Sequence, residues 1–134
     1  MVVDTNLNQL SHQLCPAELD EKTFWKAEAI AIRAAKALNS PGLFAIEMFV
    51  DKSDQVLINE IAPRVHNSGH HTIEAHYCSQ FEMLWRILLH YPLGNPAAIM
   101  SSAMVNLIGS PGEAGEAFYE GLEDVLKKIG RAHV

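Results

Sequence analysis

The chain has 134 residues, 49% hydrophobic and 19% charged, with a formal charge of −6 and a pI near 5.6. That balance fits a folded unit with a real core and excludes an intrinsically disordered chain. It leaves no electrostatic footprint for nucleic acid, and no apolar run reaches the ~20 residues of a membrane span, so neither partner is expected.

In chain order, "MVVDTNLNQL" lacks the basic start and apolar stretch of a secretory signal, and Val2 to Gln13 has extended character. Cys15 and Cys78 form no CxxC pair and are expected as free thiols in a cytoplasmic protein. A helix is expected from about Asp20 to Asn39, capped by Asp20. Phe24, Ala27, Ala31, Ala34, Ala35 and Leu38 would form its small-residue face for packing on a sheet. "LFAIEMFV" and "QVLINEIA", separated by "DKSD", read as a β-hairpin. Ser79 opens a second helix through an S-x-x-E capping box with Glu82. Phe81, Leu84, Trp85, Leu88 and Leu89 would be its apolar stripe. "PLGNPAA" reads as a linker, "SAMVNLIG" as a strand, and Glu116 to Lys128 as a third helix with lysines at its C-terminal end. The order implies an α+β fold with a mainly antiparallel sheet and packed helices.

The hairpin carries the first chemical signal. With Ser53 and Asp54 at the centre of a two-residue turn, Glu47 faces Glu60 directly, on a face shared with Phe49 and Ile58. Opposed carboxylates destabilise a sheet unless a cation lies between them or one takes up a proton. Hard oxygen donors without histidine or cysteine at hand suit Mg²⁺, usually with a phosphate supplying more oxygens. The plainer reading leaves both glutamates in solvent at a strand edge.

Pro63 ends the second strand. Arg64, next along, can stabilise charge on an anion or pair with Glu47 or Glu60. In "HNSG", Gly69 permits a tight turn whose amides could point at an anion. His66 is the histidine nearest Arg64 and the one expected to act. His71, Glu74 and His76 are out of step with both H-x-x-E-H and H-E-x-x-H, so no zinc site is expected in this loop. His70, His71 and His76 read as surface or supporting residues.

"GLFAIEMFV", "NEIAPR", "HNSGHHT", "SQFE", the arginine of "LWRILL", "PLG" and "MVNLIG" stand in one order and spacing. In these motifs the chain resembles the 5-(carboxyamino)imidazole ribonucleotide synthases, ATP-grasp enzymes of purine biosynthesis. The resemblance implies that ATP phosphorylates bicarbonate to carboxyphosphate, and that the amine of aminoimidazole ribonucleotide takes the carboxyl group. It implies Glu47 and Glu60 as ligands of two Mg²⁺ ions bridging the ATP phosphates, and Asn59 with Glu60 as part of the nucleotide site. It implies Arg64 and His66 as holders of bicarbonate and the carboxyphosphate charge, with Asn67, Ser68 and Gly69 shaping the pocket. Val65 stands where the family usually has proline, and His71 where it has an aromatic residue.

The resemblance also implies a division of the chain. Residues 1–94 would be the second subdomain of the ATP-grasp fold, and 95–134 the beginning of a small C-terminal domain. The nucleotide-clamping lysines and glycine-rich lid have no counterpart here, so the chain is expected to be a fragment, inactive alone, of a homodimeric cytoplasmic enzyme. Other readings are a different ATP-grasp ligase joining a carboxylate to an amine, or a non-catalytic fragment of a split enzyme.

Overall fold

The computed structural model describes residues 11–107, 115–116 and 118–128. The expected extended stretch before residue 11, the tail of the expected strand past 107 and "RAHV" fall outside them. The described elements are β1 (His12–Cys15), α1 (Glu21–Ala37), β2 (Ala45–Val50), β3 (Val56–Ala62), a 3₁₀ turn (Asn67–Gly69), α2 (Thr72–Ala75), α3 (Gln80–Leu88), β4 (Ser102–Val105) and α4 (Leu122–Lys128). The fold is α+β, with two antiparallel pairs, β2–β3 and β1–β4.

Local chemistry explains the helix starts. Asp20 is extended and accepts from Thr23 N at 3.0 Å, the expected cap of α1. Ser79 likewise accepts from Glu82 N at 3.1 Å at the head of α3. The reciprocal half of the capping box does not form. Glu82 turns instead to Arg86, one turn on, at 2.7 Å, and raises that guanidinium's already high pKa. A charged partner on the same face outcompetes a backbone amide.

The helix faces depart from expectation. On α1, Thr23 is buried and Ala27, Ala31, Ala34 and Ala35 are half-buried, but Phe24 and Leu38 are exposed. On α3, Phe81 and Leu84 are half-buried, whereas Trp85, Leu88 and Leu89 face solvent. Among the described residues the buried apolar set is only Val56, Ala62, Ala75 and Cys78. The periodicity places these residues on one side of each helix, but Phe24, Leu38, Trp85, Leu88 and Leu89 are not covered by the described residues. α1 touches the hairpin through Lys26, whose Nζ donates to Asp54 O at 3.0 Å and Gln55 Oε1 at 3.2 Å.

The stretch read as a linker is bonded to the fold. Tyr77 N donates to Ala97 O at 3.1 Å, Ile99 N donates to Ala75 O at 2.8 Å, and His76 bridges Ala98. Backbone groups after the short α2 need partners, and this strip supplies them. It leads into β4, which pairs with β1 in the register His12↔Val105 to Cys15↔Ser102. No described helix is long and apolar enough to cross a membrane.

Candidate functional site

The hairpin sets the geometry of the site, and its turn differs from the two-residue form. Asp51 N donates to Gln55 O at 3.0 Å and Asp54 N donates to Asp51 O at 3.1 Å, closing a loop of Lys52, Ser53 and Asp54. Asp51 Oδ1 accepts from Ser53 N at 2.7 Å and Gln55 N at 2.9 Å, and Asp54 takes the left-handed φ of 56°. The longer loop shifts the first rungs, so that Val50 pairs with Val56, Phe49 with Leu57 and Met48 with Ile58.

A bulge between Glu47 and Met48 then shifts the register back. Asn59 is the extra residue, and Glu47 lies directly opposite Glu60. The expected pairing therefore forms, but through two compensating irregularities. Ile58 moves to the face of Met48, and Leu57 joins Phe49 on the glutamate side. The bulge also aims Asn59 across the ladder, where its Nδ2 donates to Glu47 Oε2 at 3.4 Å.

Glu47 is bracketed from the other side by His66, whose Nδ1 lies 3.6 Å from Oε1. Among the described residues the Glu60 carboxylate has no hydrogen-bond or ion-pair partner and is exposed. One half-buried, tethered carboxylate thus faces one free carboxylate. An all-oxygen donor set on one side of a strand pair fits Mg²⁺, whose remaining positions go to water or phosphate oxygens. Among the described residues no cysteine is grouped with Glu47 and Glu60, which disfavours thiophilic cations.

The loop that follows is built around the backbone of His66. His66 N donates to Gln80 Oε1 at 2.9 Å, and Gln80 Nε2 donates to His66 O at 2.8 Å. One carboxamide at the head of α3 therefore satisfies both main-chain groups of the residue beside Glu47. Gly69 makes room for it, because a Cβ there would collide with the Gln80 carboxamide. Thr72 completes the brace, its Oγ1 donating to Gly69 O at 2.6 Å and accepting from Gln80 N at 3.0 Å. From the far side Gln13, 1% exposed, donates to Ser68 O at 2.9 Å. The His66 ring lies 2.9 Å from Ser68 Oγ.

The structure therefore gathers Glu47, Asn59, Glu60, His66 and Ser68. Asn67 opens the 3₁₀ turn and accepts from His70 N at 3.0 Å. Arg64 stands apart. Its Nη1 donates to Val65 O at 3.0 Å, and among the described residues it makes no ion pair with Glu47 or Glu60. Arg64 borders a hollow of about 220 Å³ shared with Ile46, Ser68, Gly69 and Gln80. A cation left unpaired beside an amide-rich turn is suited to an incoming anion.

Gln13, Thr72 and Gln80 were not legible as site residues. Their effect runs through backbone groups of the loop, and no spacing in the sequence marks such contacts.

Residues 3–81, more than half of the chain, match the model of the ATP-grasp domain family. The chain is 41% identical over 114 residues to a chloroplastic phosphoribosylaminoimidazole carboxylase of Vigna aconitifolia, which covers 84% of this chain and 20% of that protein. Its structure is similar to N5-carboxyaminoimidazole ribonucleotide synthetase from Thermotoga maritima, with a TM-score of 0.81 and 44% identity over 87% of this chain and 32% of that one. It is also similar to the Aspergillus clavatus synthase solved with ADP and aminoimidazole ribonucleotide, with a TM-score of 0.75 and 32% identity over 81% of this chain and 30% of that one. The chain thus spans about a fifth to a third of the length of these relatives.

Proposed function

This chain belongs to the ATP-grasp family, and we propose that it supplies the metal- and anion-binding wall of an ATP-dependent ligase that carboxylates aminoimidazole ribonucleotide. The observation that carries this reading is the direct pairing of Glu47 with Glu60 beside the braced His66 loop.

Glu47 and Glu60 would hold Mg²⁺, which when bound neutralises charge on the ATP phosphates. Asn59 keeps the Glu47 carboxylate oriented and borders the nucleotide. Bicarbonate sits against His66 and Arg64, and one of its oxygens attacks the γ-phosphorus, giving carboxyphosphate and ADP. Arg64 is free to close on the new dianion. The substrate amine then attacks the carboxyl carbon, phosphate leaves, and the amine proton passes to phosphate or solvent. His66 is held by its backbone, so its ring stays in place while the anion changes. Such chemistry depends on positioning and charge neutralisation, which these groups provide.

The same reading gives residues 1–94 to the ATP-grasp subdomain and 95–134 to the beginning of a small C-terminal domain, laced together by β1–β4. It also includes a cytoplasmic location and assembly as a homodimer.

The test is a chimera in which this chain replaces the matching third of the Thermotoga maritima synthetase. Phosphate release should require ATP, bicarbonate and aminoimidazole ribonucleotide together. A folded chimera that binds ADP but ignores the ribonucleotide would sink the proposal.

A further inference from the structure

The second half of the histidine loop faces away from the glutamates. Cys15, at the end of β1, comes together with His71 and His76. Their ligand atoms all lie within 4.8 Å of one another, and all three side chains are half-buried. The rings of His71 and His76 meet edge to face at 5.2 Å between centroids.

The hydrogen bonds around the cluster orient it. His76 Nδ1 lies 2.7 Å from Pro96 O. A carbonyl only accepts, so Nδ1 carries the hydrogen and Nε2 keeps its lone pair. That Nε2 is buried and, among the described residues, has no partner. Leaving it so costs stability unless something fills the position. His71 Nδ1 lies 2.9 Å from Ser68 O and 2.7 Å from Gln13 Nε2. The Gln13 amide can only donate, so a ring that ligates through Nε2 must carry its hydrogen on Nδ1, give it to Ser68 O and have Gln13 Nε2 turn away from Nδ1. Imidazoles that donate through one nitrogen to a main-chain carbonyl and ligate through the other are the usual arrangement at metal sites. Burial is the main influence on His71 and holds its pKa below the ordinary value, against the opposing Ser68 carbonyl.

We infer that Cys15, His71 and His76 form a second cation site, built for Zn²⁺ with one sulfur, two imidazole nitrogens and a water. The donor set is soft to borderline, unlike the oxygens of the glutamate pair. Tetrahedral zinc needs donor atoms roughly 3.3–3.8 Å apart, so modest side-chain rotations close the cluster. Cys15 also borders a hollow of about 430 Å³ with Leu14, Pro16 and Ser102. On binding, the Cys15 thiol gives its proton to solvent and the S–Zn bond forms. The ion would tie the end of β1 to the histidine loop and to the 95–98 strip, and through Ser68 it would stiffen the turn that carries His66.

The test is titration of the 134-residue chain with Co²⁺ at neutral pH. Expected are the intense visible bands of tetrahedral cobalt and a thiolate-to-cobalt charge-transfer band, saturating at one equivalent and displaced by Zn²⁺. Cys15→Ser should remove the charge-transfer band, His76→Phe should weaken binding at least ~10-fold, and Cys78→Ser should change neither. Should Cys15→Ser fail to fold, alkylation of the wild-type chain decides. Zn²⁺ should protect Cys15 from iodoacetamide, and His71→Phe should abolish the protection. Absence of the charge-transfer band, its loss in Cys78→Ser, or Cys15 alkylation that Zn²⁺ leaves unchanged would each overturn the proposal.

Discussion

Two donor sets flank one loop, and they differ in each property that selects a cation. At the His66 end, Glu47 and Glu60 offer hard oxygens on the open face of a strand pair. At the His71 end, Cys15, His71 and His76 offer a thiol and two imidazoles, all half-buried. The histidines of "HNSGHHTIEAH" divide between them: His66 faces Glu47, whereas His71 and His76 face Cys15. His70 joins neither and lies against Phe81 at 5.6 Å. The contrast shows that a histidine-rich run is not one site, because a tight turn sends successive side chains in different directions.

The largest effect should come from removing the oxygen set. Glu47→Gln with Glu60→Gln should weaken Mn²⁺ binding, read by electron paramagnetic resonance of the chain, by more than about 100-fold, exceeding the 10–100-fold typical of disturbing a ligand's support. The cobalt–thiolate spectrum should be unchanged, and a parallel loss there would merge the two sites into one.

Gln80 sits between them. Gln80→Leu leaves His66 N and O without their shared partner and should cost about 1–3 kcal/mol in urea unfolding. Amide exchange should quicken from His66 to His70, and an unchanged exchange pattern would show that the brace is not needed. Gly69→Ala pushes a methyl group into the same carboxamide. It should cost ~1 kcal/mol, the low end of overpacking, because a glutamine side chain can swing away.

The smallest effect should come from Asp20→Ala, remote from both donor sets. The Thr23 hydrogen bonds hold the Asp20 carboxylate below the ordinary aspartate range. Its folded pKa is depressed, so its stabilisation is present above pH ~4 and fades as pH falls through the lower folded value. The variant should lose a little stability at neutral pH and show a shallower acid limb in thermal melts, with both metal titrations unaltered.

Much of this was legible in the residues. Asp20 and Ser79 mark helix starts because a cap needs only a side chain three residues from an amide. The hairpin is visible in its β-branched and aromatic runs, and the pairing of Glu47 with Glu60 follows from turn arithmetic. The route to that pairing was not visible. A three-residue turn and a bulge at Asn59 each shift the register by one, in opposite senses, and the sum conceals both.

Sequence alone marked α1, the hairpin, α3 and the family motifs, since these depend on side chains close together in the chain. Tertiary structure alone decided which groups meet across long separations. Gln13 reaches Ser68 across 55 positions, and Cys15 meets His71 and His76 because β1 runs back beside the loop. The histidine spacing argued against zinc when only local ligands were counted. The third donor comes from another strand, and the free energy that brings it there is the packing of the whole fold, which no local pattern records.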